Sequence, residues 1–343
     1  MKKLFSLPYT PGMSEVIDQL PIDQINDIYF SDNKFGSARS LSLKGEHLDE
    51  LYALREKYGI KLHYLINGNY YSNESYEHVD DMIAHVKEIN PDMLTMNNTY
   101  LMRDSVLMHE LRNATPKGVE IKNSVNNIAK SLKQIMFLVE VLGIRSIIVD
   151  RSLNRNLDEL TKISKYCKDR NISITMLVNE GCIVDCLWKN IDDMMIAQTN
   201  EKSNMKVINI IHEKLGCTDY FEKTAAEYLK TAFTLPNDLN KFNGLVDVIK
   251  LAGRGVPLEK WLTMCRSYMY EDGNVRLQYL FSTRPPNVLL NTTANELTAY
   301  NFNKITNNCK NVCATECNLC DNVLEKMFPK IKINEKVENE FIS

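Results

Sequence analysis

No stretch of this sequence approaches the roughly 18 consecutive apolar residues of a membrane-crossing helix, so no membrane partner is expected. The opening "MKKLFSLPYT" has only about four apolar residues before its proline, against the roughly 7–15 of a secretory leader. No Lys/Arg block is longer than a pair and the net charge is −3. Duplex DNA is therefore disfavoured as a partner, because such binding neutralises many phosphates; a structured RNA stays open. No GxGxxG, Walker, HExxH or GxSxG motif is present, and the six histidines (His47, His63, His78, His85, His109, His212) show no ligand spacing. His78 and His85 share a helix face and read as surface or packing residues. A cytoplasmic location is expected. In that reducing compartment the nine cysteines read as thiols or metal ligands rather than disulfides.

What is there is ordinary globular composition, 44% apolar and 25% charged over 343 residues. Short apolar runs recur at 3–10, 25–32, 60–67, 92–98, 119–125, 145–150, 173–180 and 247–253. Their length and Ile/Val/Leu/Tyr content fit buried parallel strands. Through the middle they start about every 27–30 residues, one strand-plus-helix unit. The intervening segments carry helical period. Tyr76 to Ile89 ends at Asn90-Pro91, Ile128 to Leu142 ends at Gly143, and Asn156 caps a helix carrying Leu157, Leu160, Ile163 and Cys167. Eight such units predict a closed, TIM-like eight-stranded (β/α) barrel over residues 1–285. A doubly wound open sheet is the rival fold. A long insertion, about 181–245, precedes the last strand. A Cys-rich extension, 286–343, is expected to pack on the barrel mouth.

In such a barrel the strand C-termini face the active site. Those positions hold Asn67 and Asn69, Asn97 and Asn98, Asn123, Asp150 and Arg151, Asn179 and Glu180, then Lys250 and Arg254. Glu180, Asn179, Arg254 and Lys250 are the catalytic candidates. Asn67, Asn97, Asn123, Lys122 and Arg151 are the substrate-binding candidates. The basic groups suit the carboxylates of a small anionic substrate, and Glu180 suits an acid or base. Capping and loop solvation are the competing reading for each asparagine. An internal ion pair with Glu120 is the competing reading for Lys122.

The cysteines fall into two groups. "VNEGCIVDCLWK" places Cys182 and Cys186 at the end of the seventh strand, and "NCKNVCATECNLC" places Cys309, Cys313, Cys317 and Cys320 near the chain's end. Thiolates three or four apart can take corners of a cubane cluster or a zinc tetrahedron. The Cys313-to-Cys320 spacing also occurs in radical-SAM enzymes, but there it follows the first strand with an aromatic before the last cysteine; here Leu319 stands in that place. The compact run favours an iron–sulfur cluster, 4Fe-4S, with zinc as the alternative. The tail is expected to fold over the mouth and either complete a cluster with Cys182 and Cys186 or bind a second one. Cys167 and Cys265 read as packed thiols.

The Val-Asn-Glu-Gly-Cys turn, followed by the "IKLAGRG" strand (249–255) and an amphipathic helix, resembles the U-thirty-two (collagenase-like) peptidase family over roughly residues 1–285. The resemblance implies the barrel and, in its hydroxylation branch, a four-iron cluster on barrel cysteines. It further implies oxygen-independent hydroxylation of an RNA base or a small molecule, sometimes with a second barrel subunit. Peptidase activity belongs to a few members. The interval between Cys182 and Cys186 is shorter than usual, and Asn179-Glu180-Gly181 replaces the family's aromatic-Gly-Ala-Leu lead-in. Two further barrel ligands are not obvious, and Cys217 could supply one. The expected function is an iron–sulfur redox or hydroxylation enzyme acting on an RNA base, small molecule or peptide. The alternatives are a peptidase and a non-catalytic iron–sulfur partner subunit.

Overall fold

The computed structural model describes residues 2–32, 34–35, 43–67, 79–198, 210–310, 312–313 and 317–329. Asn69, His78 and the end of the tail from 330 lie outside them. Eight parallel strands close a barrel in sequence order: β1 (Leu4–Pro8), β2 (Ile25–Phe30), β3 (Lys61–Ile66), β4 (Met93–Met96), β5 (Glu120–Asn123), β6 (Ser146–Val149), β7 (Ser173–Leu177) and β8 (Val248–Lys250). β8 pairs back onto β1 through Leu4–Val248 and Ser6–Lys250, so no edge is left open.

Alternation sorts each strand into two layers. Phe5, Leu7, Ile28, Phe30, Leu62, Tyr64, Leu94, Ile147, Ile174 and Ile249 point outward into one apolar core shared with the helices. The other parity faces the barrel interior and is unusually polar. Ser6, Asp27, His63, Thr95, Lys122, Ser146, Thr175 and Lys250 are all buried, one from each strand in order. Four of them form a chain: the Ser6 hydroxyl donates to Asp27 at 2.6 Å, His63 meets Asp27 at 2.9 Å, and the other ring nitrogen of His63 meets Thr95 at 2.7 Å. Lys122 faces this chain and acts electrostatically on Asp27. Glu120, 3.9 Å from Lys122, is 40% exposed, so the pair is not the internal one that alternation suggested.

Asparagine side chains take over where the strand ladders end. Asn123 donates to the Ile148 carbonyl at 2.9 Å and accepts from the Ile148 amide at 2.8 Å, tying β5 to β6. Asn179 donates to the carbonyls of Ala252 and Leu280 and accepts from the Ala252 amide. Asn127 reaches the backbone and side chain of Asn97, and Asn98 caps the helix Thr99–Arg103. Each buried backbone group satisfied this way avoids a penalty of about 1–3 kcal/mol.

The helices follow their caps. Asn156 caps Leu157–Lys168 by accepting from the Glu159 amide. The Ile128-to-Leu142 segment is shorter than its period suggested. Ile128 adopts a left-handed φ of 53° and the helix begins at Leu132, where Ser131 and Gln134 form a capping box. Gly143 ends it with a φ of 67°. Between β7 and β8 lie the helices Lys189–Gln198, Cys217–Lys223 and Ala225–Leu229. The tail helix Leu319–Met327 packs on Ala225–Leu229 and is fastened there by Lys230, which joins Glu227 at 2.7 Å to Asp321 at 3.0 Å. No helix of the described residues is long and apolar enough to cross a membrane.

Candidate functional site

The strand ends, the insertion and residues Ser282–Arg284 enclose a cavity of about 530 Å³ at the barrel mouth. A chamber of that size suits a small ligand or one extruded side chain or base. Of the residues singled out from sequence, Asn67, Arg151, Glu180, Cys182, Lys250 and Arg254 line it. Asn97, Asn123, Asn179 and Lys122 do not. The three asparagines are engaged with neighbouring chain, as described, and Lys122 lies deeper in the barrel.

β6 delivers Arg151 through the cap at Asp150, whose carboxylate accepts from the Ser152 amide and starts the turn Arg151–Arg155. Arg151 is buried. Its Nε lies 2.9 Å from Glu180 Oε2 and its Nη1 lies 3.4 Å from the Cys182 thiol. β7 delivers Glu180 and Cys182 on either side of Gly181. A methyl group at Gly181 would fall 2.9 Å from the Tyr228 ring, so glycine is what lets the turn approach that ring. Across the cavity Arg254 donates to the Ser31 hydroxyl. The orphan acceptor is Asn67, whose buried Oδ1 has no hydrogen-bond partner among the described residues.

Lys250 comes from the end of β8. Its Nζ sits 4.0 Å from the centre of the Tyr29 ring, itself held by a 2.6 Å bond from its hydroxyl to the Leu251 carbonyl. Burial pushes the ammonium down to about 7, against the opposing pull of Asp27. Beneath it, burial pushes His63 down to about 4, again against Asp27. Neutral His63 therefore donates from Nδ1 to Asp27 and accepts from the Thr95 hydroxyl at Nε2. Because the unfolded ring binds protons more readily than the folded one between about 4 and 6.5, stability contributed by His63 falls as pH drops through that window. Urea unfolding from pH 4 to 6.5 is expected to show this slope, and His63→Asn to flatten it; an unchanged slope in the variant contradicts the burial of a neutral ring.

Two further residues of the cavity, His212 and Asp192, had no signal in the sequence, while Cys217 was named there only as a possible ligand. His212 and Asp192 lie 20 positions apart in the insertion, and Nε2 of the former meets Oδ1 of the latter at 2.5 Å. Cys217 lines the same chamber as Cys182. Cys186, by contrast, borders a neighbouring depression beside Lys130 and Asp185, which form an ion pair.

The tail cysteines gather elsewhere. Cys313 and Cys317 are joined by a parallel backbone bridge, and Cys309, Cys313 and Cys320 act on one another electrostatically. None of the four lines the mouth cavity, and none forms a disulfide. Cys320 is buried with its thiol 3.8 Å from the Leu229 carbonyl, and burial among the other thiols pushes it up to about 11. Arg155 donates to that same carbonyl at 2.6 Å. One turn of chain, Arg151–Arg155, thus runs from the Cys182 side to the Cys320 side. At the rise of a 3₁₀ turn its two ends are about 8 Å apart.

As a donor set, four neighbouring thiols with Arg155 and Lys230 alongside fit a thiolate-bound metal centre in chemistry and charge. Among the described residues no three His, Cys, Asp or Glu side chains are already arranged around a point that would hold a metal ion. Cys167 and Cys265 are fully buried in the apolar core.

Residues 15–198, more than half of the 343-residue chain, match the family described as Peptidase family U32. An uncharacterized protease of Methanocaldococcus jannaschii is 24% identical over 229 residues, a match spanning 64% of this chain and 64% of that relative's own length. Among solved structures, the U32 peptidase Mk0906 superposes with a TM-score of 0.50 and 14% identity, covering 75% of this chain and 94% of that one. That superposition concerns the fold alone.

Proposed function

Because the chain belongs to peptidase family U32, we propose that it is an iron–sulfur redox enzyme of that family, which modifies a small anionic substrate, or one presented base, by an oxygen-independent hydroxylation or related reaction. The observation that carries this reading is a gathered set of four thiols at one end of the Arg151–Arg155 turn, whose other end meets a cation-lined chamber. A 4Fe-4S cluster held by Cys309, Cys313, Cys317 and Cys320 would supply single electrons. The rest of the chemistry falls to the mouth. Arg254, and Lys250 in its protonated form, bring positive charge to a substrate carboxylate or phosphate. Arg151 holds Glu180 and the Cys182 thiol in fixed positions on the chamber wall.

Anaerobically prepared protein, supplied with iron and sulfide, is expected to hold about four irons per chain. Cys313→Ser paired with Cys320→Ser is expected to hold almost none, and Cys182→Ala to keep them. Zinc in place of iron, or iron that leaves with Cys182 and stays with the tail variant, overturns the assignment.

A peptidase is the second reading, favoured by a specific observation. The His212–Asp192 pair and the thiols of Cys182 and Cys217 share one cavity, which is the side-chain set of a thiol hydrolase. Cleavage of casein or collagen that disappears in His212→Gln, and in one of the two Cys→Ser variants, would establish it. Lack of cleavage by the wild type removes it.

A further inference from the structure

Lys250 is buried inside the barrel yet borders the mouth cavity. No hydrogen bond or ion pair ties its Nζ to a described residue, and it lies over the Tyr29 ring, 4.0 Å from its centre. The charged groups acting on it are Asp27 and Glu180 on one side of the balance and Arg254 and Lys122 on the other. Arg254 and Arg284 line the same chamber and add positive charge to its wall, Arg284 while also holding Glu222 at 2.9 Å. From this placement we infer that Lys250 is a covalent nucleophile, which captures the carbonyl carbon of an anionic aldehyde or ketone as an imine.

The chemistry balances without a redox partner. The free amine attacks the carbonyl carbon to give a carbinolamine; the C–O bond then breaks, water leaves, and the C=N bond replaces the C=O bond. Both protons of the amine nitrogen end on the departing oxygen, which leaves as that water. A lysine must be unprotonated to begin this, and desolvation beside other cations is the established means. With Lys250 pushed down to about 7, about half of it is free amine at neutral pH, against well under ~0.1% of an ordinary lysine. The inference rests on the mouth being the substrate site, as proposed above, and is independent of any metal.

The test uses glyoxylate as the anionic carbonyl, acetaldehyde as the neutral one, and cyanoborohydride to reduce any imine to a stable secondary amine. Peptide mass mapping of the whole protein at pH 7 is expected to find one reduced glyoxylate adduct, on Lys250, formed roughly tenfold faster than on surface lysines. Acetaldehyde is expected to label it more slowly. The rate at Lys250 should rise through pH 7, whereas surface lysines rise only toward pH 10; this profile needs no variant and so survives a Lys250→Arg protein that fails to fold. Glycolate, which has no aldehyde or ketone group, should slow alkylation of Cys182 by iodoacetamide and compete with labelling. Adducts spread over surface lysines with Lys250 unmodified overturn the inference. If glycolate still protects Cys182 in that case, the mouth remains the anion site and only the covalent step falls; if it does not, both fall.

Discussion

Asp27→Leu is expected to destabilise the protein by about 3–5 kcal/mol, the cost of removing one member of a buried charged network. Asp27 is fully buried and accepts from Ser6 at 2.6 Å, Asn26 at 2.7 Å and His63 at 2.9 Å. Burial alone would raise its carboxyl, yet the net effect of His63, Lys122 and Ser6 holds it well below the usual carboxylate range. Its charge is also the one that opposes the desolvation of Lys250. Leucine fills the volume but strands three donors and leaves two buried lysines without their compensation. Asp27→Asn keeps acceptors in place and should cost less. Urea unfolding at pH 7 measures both. Because the lysines suffer through Asp27, the double variant Asp27→Leu with Lys122→Met should lose less than the two single losses added together. A loss under about 1 kcal/mol for Asp27→Leu would mean that the interior polar chain carries no structural weight.

Arg151→Met is the second large effect, expected at about 3 kcal/mol, because it removes the buried cation 2.9 Å from Glu180, whose side chain is only 16% exposed. The same change frees the Cys182 thiol from its 3.4 Å guanidinium contact, so alkylation of Cys182 should become slower as the thiolate loses a cation. Glu180→Gln placed on Arg151→Met should restore much of the lost stability. If the double variant is no better than Arg151→Met, the ion pair is not what positions this wall.

The barrel was legible because each strand is a short, nearly unbroken apolar run and each crossover carries helical period with recognisable caps, as at Asn156 and Gly143. The chamber wall was legible in part for the same reason. Arg151, Glu180, Cys182, Lys250 and Arg254 directly follow such runs. Asn123 and Asn179 follow them too, but an amide serves a backbone carbonyl and a ligand equally well, and only strand register tells which. The interior chain of Ser6, Asp27, His63 and Thr95 left a faint trace, one polar residue at the inward parity of each run, whose meaning appears only once neighbouring strands are aligned. His212 and Asp192 left none, since the folding of the insertion, rather than any local pattern, brings them to the cavity, and Cys217 stood out only as a cysteine of that insertion. The tail run announced its thiols by spacing, while its seat beside Leu229 and Arg155 depends on helix packing that spacing does not encode.

Isothermal titration with small di- and tricarboxylates, wild type against Arg254→Met, tests the working site most directly. A single site is predicted, weakened roughly tenfold or more in the variant, as expected for the loss of one charge-assisted hydrogen bond. Carboxylates that fail to bind, or that bind Arg254→Met and Arg151→Met as well as wild type, would contradict the placement of the substrate at the barrel mouth.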